Sequence, residues 1–198
     1  MGIKGALVLV VTAAVAGAVW FYSPRSTSVP STTEVECAKD RLTELDNMPV
    51  VATPEQYPIS ETYRGKVAKL DLNSSFIATR FKSVIESAMA GGINFSGHYV
   101  IATVGMTGIG TMLIVIDAEN GKAYPFSYVS QTGFSFNKDS ALLVVDPIEN
   151  LRKAAPDCMS DQASARPYYF VWKDNKFTLI GPTDNPPSNS SDNGWMHQ

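Results

Sequence analysis

The sequence predicts an α+β domain, an antiparallel β-sheet meander of about five to seven strands packed against one main α-helix, with a transmembrane or signal helix before it. Three observations carry this reading. Ser75 to Ala90 places Ile77, Phe81, Val84, Ile85, Ala88 and Met89 at three-four spacing, the signature of a helix with one apolar face. Short runs rich in Val, Ile, Tyr and Phe follow it, separated by Gly, Asn and Asp turns. The chain itself opens on an uncharged run from Gly5 to Tyr22, with Lys4 before it and Ser23-Pro24-Arg25 after it.

As a helix, the opening run would be about 27 Å long, close to a hydrocarbon core of roughly 30 Å. An uncleaved anchor uses the whole run and sets Trp20, Phe21 and Tyr22 at an interface, where aromatic rings favour the headgroup level. A cleaved secretory signal would instead use Ala14-Val15-Ala16 or Ala16-Gly17-Ala18 as its small-residue site. The anchor is preferred, because length and aromatic belt agree. Either way, the remainder is expected on the non-cytoplasmic side. The organisation that follows is 1–22 anchor or signal peptide, 23–33 linker, 34–182 a single α+β domain, and 183–198 a disordered tail rich in Ser, Asn and Pro.

The balance of 16 basic to 19 acidic residues is mildly acidic, without a Lys/Arg cluster to follow a phosphate backbone, which argues against a nucleic-acid partner. Cys37 and Cys158 are the sole cysteines, and in an oxidising compartment such a pair is expected to form a disulfide. No metal is expected: beyond those two, only His98 and His197 could complete a ligand set. No cofactor is expected either.

Along the domain, Thr32 to Met48 has helical spacing with Thr33 and Glu36 as a capping box. Lys66 to Leu72 alternates apolar and polar residues and reads as a half-buried strand. The long helix over 75–90 is capped by Ser74 or Ser75 and stopped by Gly91-Gly92. Strands are predicted over His98–Val104, Thr111–Asp117, Ala141–Asp146, Tyr168–Trp172 and Phe177–Ile180, and Asn120-Gly121 signals a type I′ hairpin. The alternating aromatics Tyr124, Phe126 and Tyr128, then Phe134 and Phe136, mark a sheet face turned to the core.

His98 is the one histidine inside the domain. As a catalytic base it would need Asp117 or Asp146 to orient it and Ser96 or Thr107 as a nucleophile. As a structural residue it would simply hydrogen-bond near a strand start. No nucleophile-elbow pattern accompanies it. Gly105-Met106-Thr107-Gly108-Ile109-Gly110 has neither the dinucleotide-binding order nor a P-loop lysine, so it reads as a glycine-permitted turn presenting Met106, Thr107 and Ile109 to a partner.

Taken together, Asn94-Phe95-Ser96-Gly97-His98-Tyr99, Ile116-Asp117-Ala118-Glu119-Asn120-Gly121-Lys122, Asp139-Ser140-Ala141-Leu142-Leu143 and Tyr168-Tyr169-Phe170-Val171-Trp172 resemble a family of uncharacterised bacterial exported proteins, over roughly residues 74 to 180. The resemblance implies export and this fold, and supplies no activity. It also implies a Trp-Gly-Cys-Gly-x-x-Cys loop, where this chain has Val104 to Gly110 without cysteine.

The expectation is therefore a membrane-anchored periplasmic binding protein, single-pass in a bacterial inner membrane or released after signal cleavage. It would be an accessory subunit or an inhibitor of immunity type, contacting a protein partner through His98, Tyr99, Met106, Thr107 and Ile109 rather than acting as an enzyme. The alternatives are a hydrolase using His98 with an acidic partner, and a cell-wall glycan binder stacking sugars on its aromatic rings.

Overall fold

Residues 30–157 and 165–183 are described by the structure, a computed structural model. The expected anchor over 1–22, most of the linker, Cys158, His197 and the tail after residue 183 lie outside them. Among the described residues, no helix is long and apolar enough to cross a membrane.

Helix α1 (Thr32–Asp46) begins at a capping box, but the box is Ser31 with Glu34, two residues earlier than the Thr33 and Glu36 the sequence suggests. Ser31 Oγ accepts from the Glu34 N–H and Glu34 Oε2 accepts from the Ser31 N–H. The Glu34 carboxyl is held below its ordinary range by those bonds with Ser31. Leu45 is buried against Leu151 and Ala155 of helix α4 (Ile148–Ala154) and the 3-10 turn after it. Arg41, also buried, donates to the Ala165 carbonyl. The chain thus both enters and leaves the 158–164 stretch against α1.

The long helix of the sequence reading is two helices. Helix α2 (Phe76–Arg80) is capped by Ser75 and gives way at Phe81, which leaves helical geometry with φ −111° and ψ 25° before α3 (Lys82–Ala90) begins. The break turns Phe76 and Phe81 to the same cation, with the Arg80 guanidinium 5.9 Å and 5.6 Å from their ring centres. Ile77, Ile85 and Met89 are buried as expected, whereas Val84 is exposed. Burying an Ile or Met side chain is worth about 1.5–3 kcal/mol, so these three residues together contribute roughly 4.5–9 kcal/mol to holding the short helices on the sheet.

The predicted single meander is two antiparallel sheets. Strands β1 (Tyr99–Met106), β2 (Gly110–Asp117) and β3 (Ala123–Ser130) form one, in the order β1-β2-β3. Strands β4 (Phe134–Phe136), β5 (Leu142–Val145), β6 (Tyr168–Lys173) and β7 (Lys176–Gly181) form the other, in chain order. Both faces of β2 are buried, and this explains its unbroken apolar run Met112 to Ile116. Ile114 and Ile116 face the helices with Val100 and Ala102. Leu113 and Val115 face Leu143, Val145, Phe170 and Trp172 of the second sheet. The layers are therefore helix, sheet, sheet, and the stripe Tyr124, Phe126, Tyr128, Phe134 and Phe136 lines the space between the sheets.

Lys66 to Leu72 is not a strand. It crosses the turn end of the β2–β3 hairpin, bonded by Ala68 N–H to the Ala118 carbonyl at 2.8 Å and by Asp71 N–H to the Gly121 carbonyl at 2.9 Å. Its exposure runs with period three rather than two: Lys66, Lys69 and Leu72 are exposed while Val67 and Leu70 pack against the helix-side core, and its neighbour is a loop end rather than a strand edge. Asn120-Gly121 is not type I′: β2 and β3 are joined by the five residues 118–122, with Gly121 alone at positive φ (76°). The two-residue turn of that type is Asp174-Asn175, at φ 50° and 59°, between β6 and β7.

Candidate functional site

The approach to β1 is built around a doubled left-handed turn. Ser96 (φ 45°) and Gly97 (φ 62°) reverse the chain so that Phe95 and Tyr99 pair across it. At Gly97 only glycine fits, since a Cβ would stand 2.7 Å from the Glu61 carbonyl oxygen on top of the positive φ. The turn is clamped from two sides: Ser96 and Gly97 N–H donate to the Asn137 and Lys138 carbonyls, and Tyr63 N–H donates to the Gly97 carbonyl. Asn94 then acts as a one-residue strand. Its Oδ1 accepts from Ile101 N–H at 2.7 Å and its Nδ2 donates to the Ile101 carbonyl at 3.1 Å.

This rigid lead-in positions His98. Its Nε2 lies 2.8 Å from Asp117 Oδ1 at the end of β2, and 3.7 Å from Glu119 Oε2. The imidazole is flanked by the rings of Tyr63, 5.2 Å away, and Tyr99, 5.0 Å away. It keeps 29% of its side-chain surface in solvent, against 8% for Asp117. Asp117 serves two structures at once. The same Oδ1 accepts from Glu119 N–H at 2.8 Å, and Oδ2 accepts from Asn120 Nδ2 at 2.7 Å, so the carboxylate that orients His98 also ties the β2–β3 loop.

Behind His98 the site becomes aromatic. Tyr99 meets Trp172 edge-on at 5.2 Å, Tyr124 meets Trp172 at 5.9 Å, and the Tyr99 hydroxyl donates to Asn175 Oδ1 at 3.0 Å. Burial pushes the Tyr99 phenol above its ordinary range; the Trp172 indole opposes this, and the Asp117 and Asp174 carboxylates add to it. Tyr124 is raised as well, first by burial and then by Asp117 and Tyr99. Among the described residues, the buried Trp172 Nε1 has no hydrogen-bond partner.

Of the residues expected to act together, the structure joins His98, Tyr99 and Asp117 and separates the others. Met106, Thr107 and Ile109 lie at the opposite end of the β1–β2 hairpin, since Tyr99 pairs with Asp117 and Met106 with Gly110. Seven strand steps separate the two ends, about 23 Å at 3.3 Å per residue. Asp146 is likewise elsewhere, accepting from Ser130 Oγ, Thr132 N–H and Thr132 Oγ1 to close the β3–β4 turn. Ser96 is a turn residue whose hydroxyl makes no hydrogen bond to His98, and the second carboxylate near the ring is Glu119 instead. Among the described residues, no group of three His, Cys, Asp or Glu side chains is arranged to hold a metal. Tyr63, Tyr124, Trp172 and Asn175 carried no signal in the sequence beyond aromatic or turn type, because they reach the site from segments far apart in the chain.

Fold and site together define a helix-backed, two-sheet α+β domain with a histidine–carboxylate pair at one corner. Compared with family models, with curated proteins and with solved structures, the chain finds no match.

Proposed function

We propose that this chain is a binding protein of the bacterial cell envelope, tethered by residues 5–22, whose recognition surface centres on His98 and Tyr99. The observation that supports it is the fixing of a half-exposed imidazole between two aromatic rings by a carboxylate that is itself immobilised. Protein contacts draw their energy from a few rigid aromatic and polar anchors, and an anchor already held in place loses little entropy on binding. Tethering raises the effective concentration for a neighbour at the same membrane. A photo-crosslinking residue at Tyr99 in intact cells is expected to capture one discrete partner, and one at Lys39 on the exposed side of α1 is not. Equal capture from both positions, or from neither, would refute the reading.

The 2.8 Å His98–Asp117 pair favours a second reading, in which His98 is a general base oriented by Asp117 and acts on a bound water or substrate hydroxyl. His98→Gln separates the two. Turnover of an ester or glycoside substrate that disappears in this variant while partner capture persists would establish the hydrolase.

A further inference from the structure

The two sheets have four edges, and three are blunted in the ways that prevent strands from pairing with other molecules. Strand β3 carries Pro125 and a register shift opposite Met112 and Ile114. Strand β4 is three residues long. Strand β7 begins with exposed Lys176 and has an irregularity opposite Tyr169 and Phe170. Strand β1 has none of these. Its register with β2 is unbroken from Tyr99 to Met106, and no Asp, Glu, Lys or Arg occurs from Ser87 to Ile116.

The first half of the β1 edge is closed by its own chain, because Asn94 occupies both backbone groups of Ile101. Backbone groups alternate sides along a strand, so those of Thr103 and Gly105 point outward like those of Ile101. Both residues are exposed, and among the described residues neither has a backbone partner on that side. Beside this edge runs an open groove of about 450 Å³ between α3 and β1, lined by Ser83, Val84, Ser87 and Ala88 from the helix and Ala102 and Thr103 from the strand. Val84 belongs to the apolar pattern of the helix yet is 38% exposed there.

We infer that the Thr103–Met106 edge pairs with the same edge of a second copy of this chain, joining the two three-stranded sheets into one of six strands. The edge complements itself. A two-fold axis through Val104 puts Thr103 of each copy opposite Gly105 of the other, and two hydrogen-bonded pairs exchange about four backbone bonds. The same axis faces the two α3 helices across the groove, where Ser83, Val84, Ser87 and Ala88 are small and uncharged and so admit a close approach without like-charge repulsion. This surface is separate from the His98 corner and does not rest on its role.

The axis also fixes a covalent test. Directly opposite, non-hydrogen-bonded residues have Cα atoms about 4.5 Å apart, within disulfide reach, so Val104→Cys in the full chain in its membranes should give a disulfide-linked dimer under mild oxidation. Gly105→Lys adds a charge to the edge at a position where a Cβ meets nothing within 4 Å, and it should abolish most of that dimer without disturbing the fold. As a second measurement without cysteine, the detergent-solubilised full chain should sediment as a dimer, and Gly105→Lys as a monomer. A Val104→Cys chain that cross-links no more than the parent, a dimer indifferent to Gly105→Lys, or a parent chain that is monomeric at every concentration tested would each overturn the inference.

Discussion

Removing the Asp117 carboxylate should cost this fold far more than removing the histidine it holds. Asp117 is 6% exposed and accepts three hydrogen bonds, from His98 Nε2, Glu119 N–H and Asn120 Nδ2. Bonds to a charged group are worth about 1.5–3 kcal/mol each, so three set a ceiling of roughly 4.5–9 kcal/mol. The net loss in Asp117→Ala is smaller for two reasons. Glu119 and Asn120 are exposed and His98 is half-buried, so water can reach the freed donors, and the variant no longer buries a carboxylate. A loss of about 2–4 kcal/mol remains, which for a domain of this size lowers Tm by roughly 2–4 °C per kcal/mol. Asp117→Asn keeps one oxygen for His98 and the Glu119 N–H and gives up only the Asn120 bond, a loss of about 1 kcal/mol. His98→Ala removes a single half-exposed partner and should fall at or below about 1 kcal/mol. Chemical denaturation of the three variants checks the order. If Asp117→Ala proves no more destabilising than His98→Ala, the carboxylate does not tie the loop and the account of the corner is wrong.

Gly121→Ala should destabilise by about 2–4 kcal/mol, since a Cβ there drives into the Lys69 carbonyl at a positive φ, and thermal melts of that variant beside an open-space glycine such as Gly105→Ala would show the contrast. Tyr99, Tyr124 and Tyr169 all have phenols raised first by burial, so their contribution to stability is fully present below the ordinary tyrosine range and is lost as pH rises through their higher folded values. An alkaline titration followed at the tyrosinate band should show some tyrosines ionising late and together with unfolding; ionisation of every tyrosine in a folded chain at ordinary pH values would contradict this. Because both ends of the 158–164 stretch lie against α1, Cys37 and Cys158 should be joined in protein exported to an oxidising compartment. Intact-mass measurement before and after reduction would show the loss of two hydrogens, and two freely alkylated thiols in unreduced protein would disprove it.

Much of this architecture was legible in the chain because it depends on local pattern. The helical spacing of Ile77, Ile85 and Met89, the apolar run of β2 and the glycine turn at 107–109 each state their local structure, although that spacing runs on through Phe81, where the chain leaves helical geometry. Val84 misled, since helical periodicity says which residues share a face but not how much of that face the sheet covers. Lys66–Leu72 misled similarly: its pattern suggests a period of two, but Lys66, Lys69 and Leu72 are the exposed positions, because the segment packs against the end of a hairpin rather than along a strand edge.

What the sequence by itself determined is a first helix near α1, a helical stretch over 76–90, strands β1, β2, β5, β6 and β7, the uncharged stretch around β1, and the one histidine of the domain with its neighbouring tyrosine. Tertiary structure alone decided that the strands divide into two stacked sheets, that Asp117 rather than Asp146 meets His98, and that Thr107 stands at the far end of the hairpin. Periodicity and turn chemistry act over a few residues, so one sequence can express them; pairing between strands and the meeting of side chains from residues 63, 98, 117, 124 and 172 depend on which surfaces bury most apolar area together, a property of the whole chain.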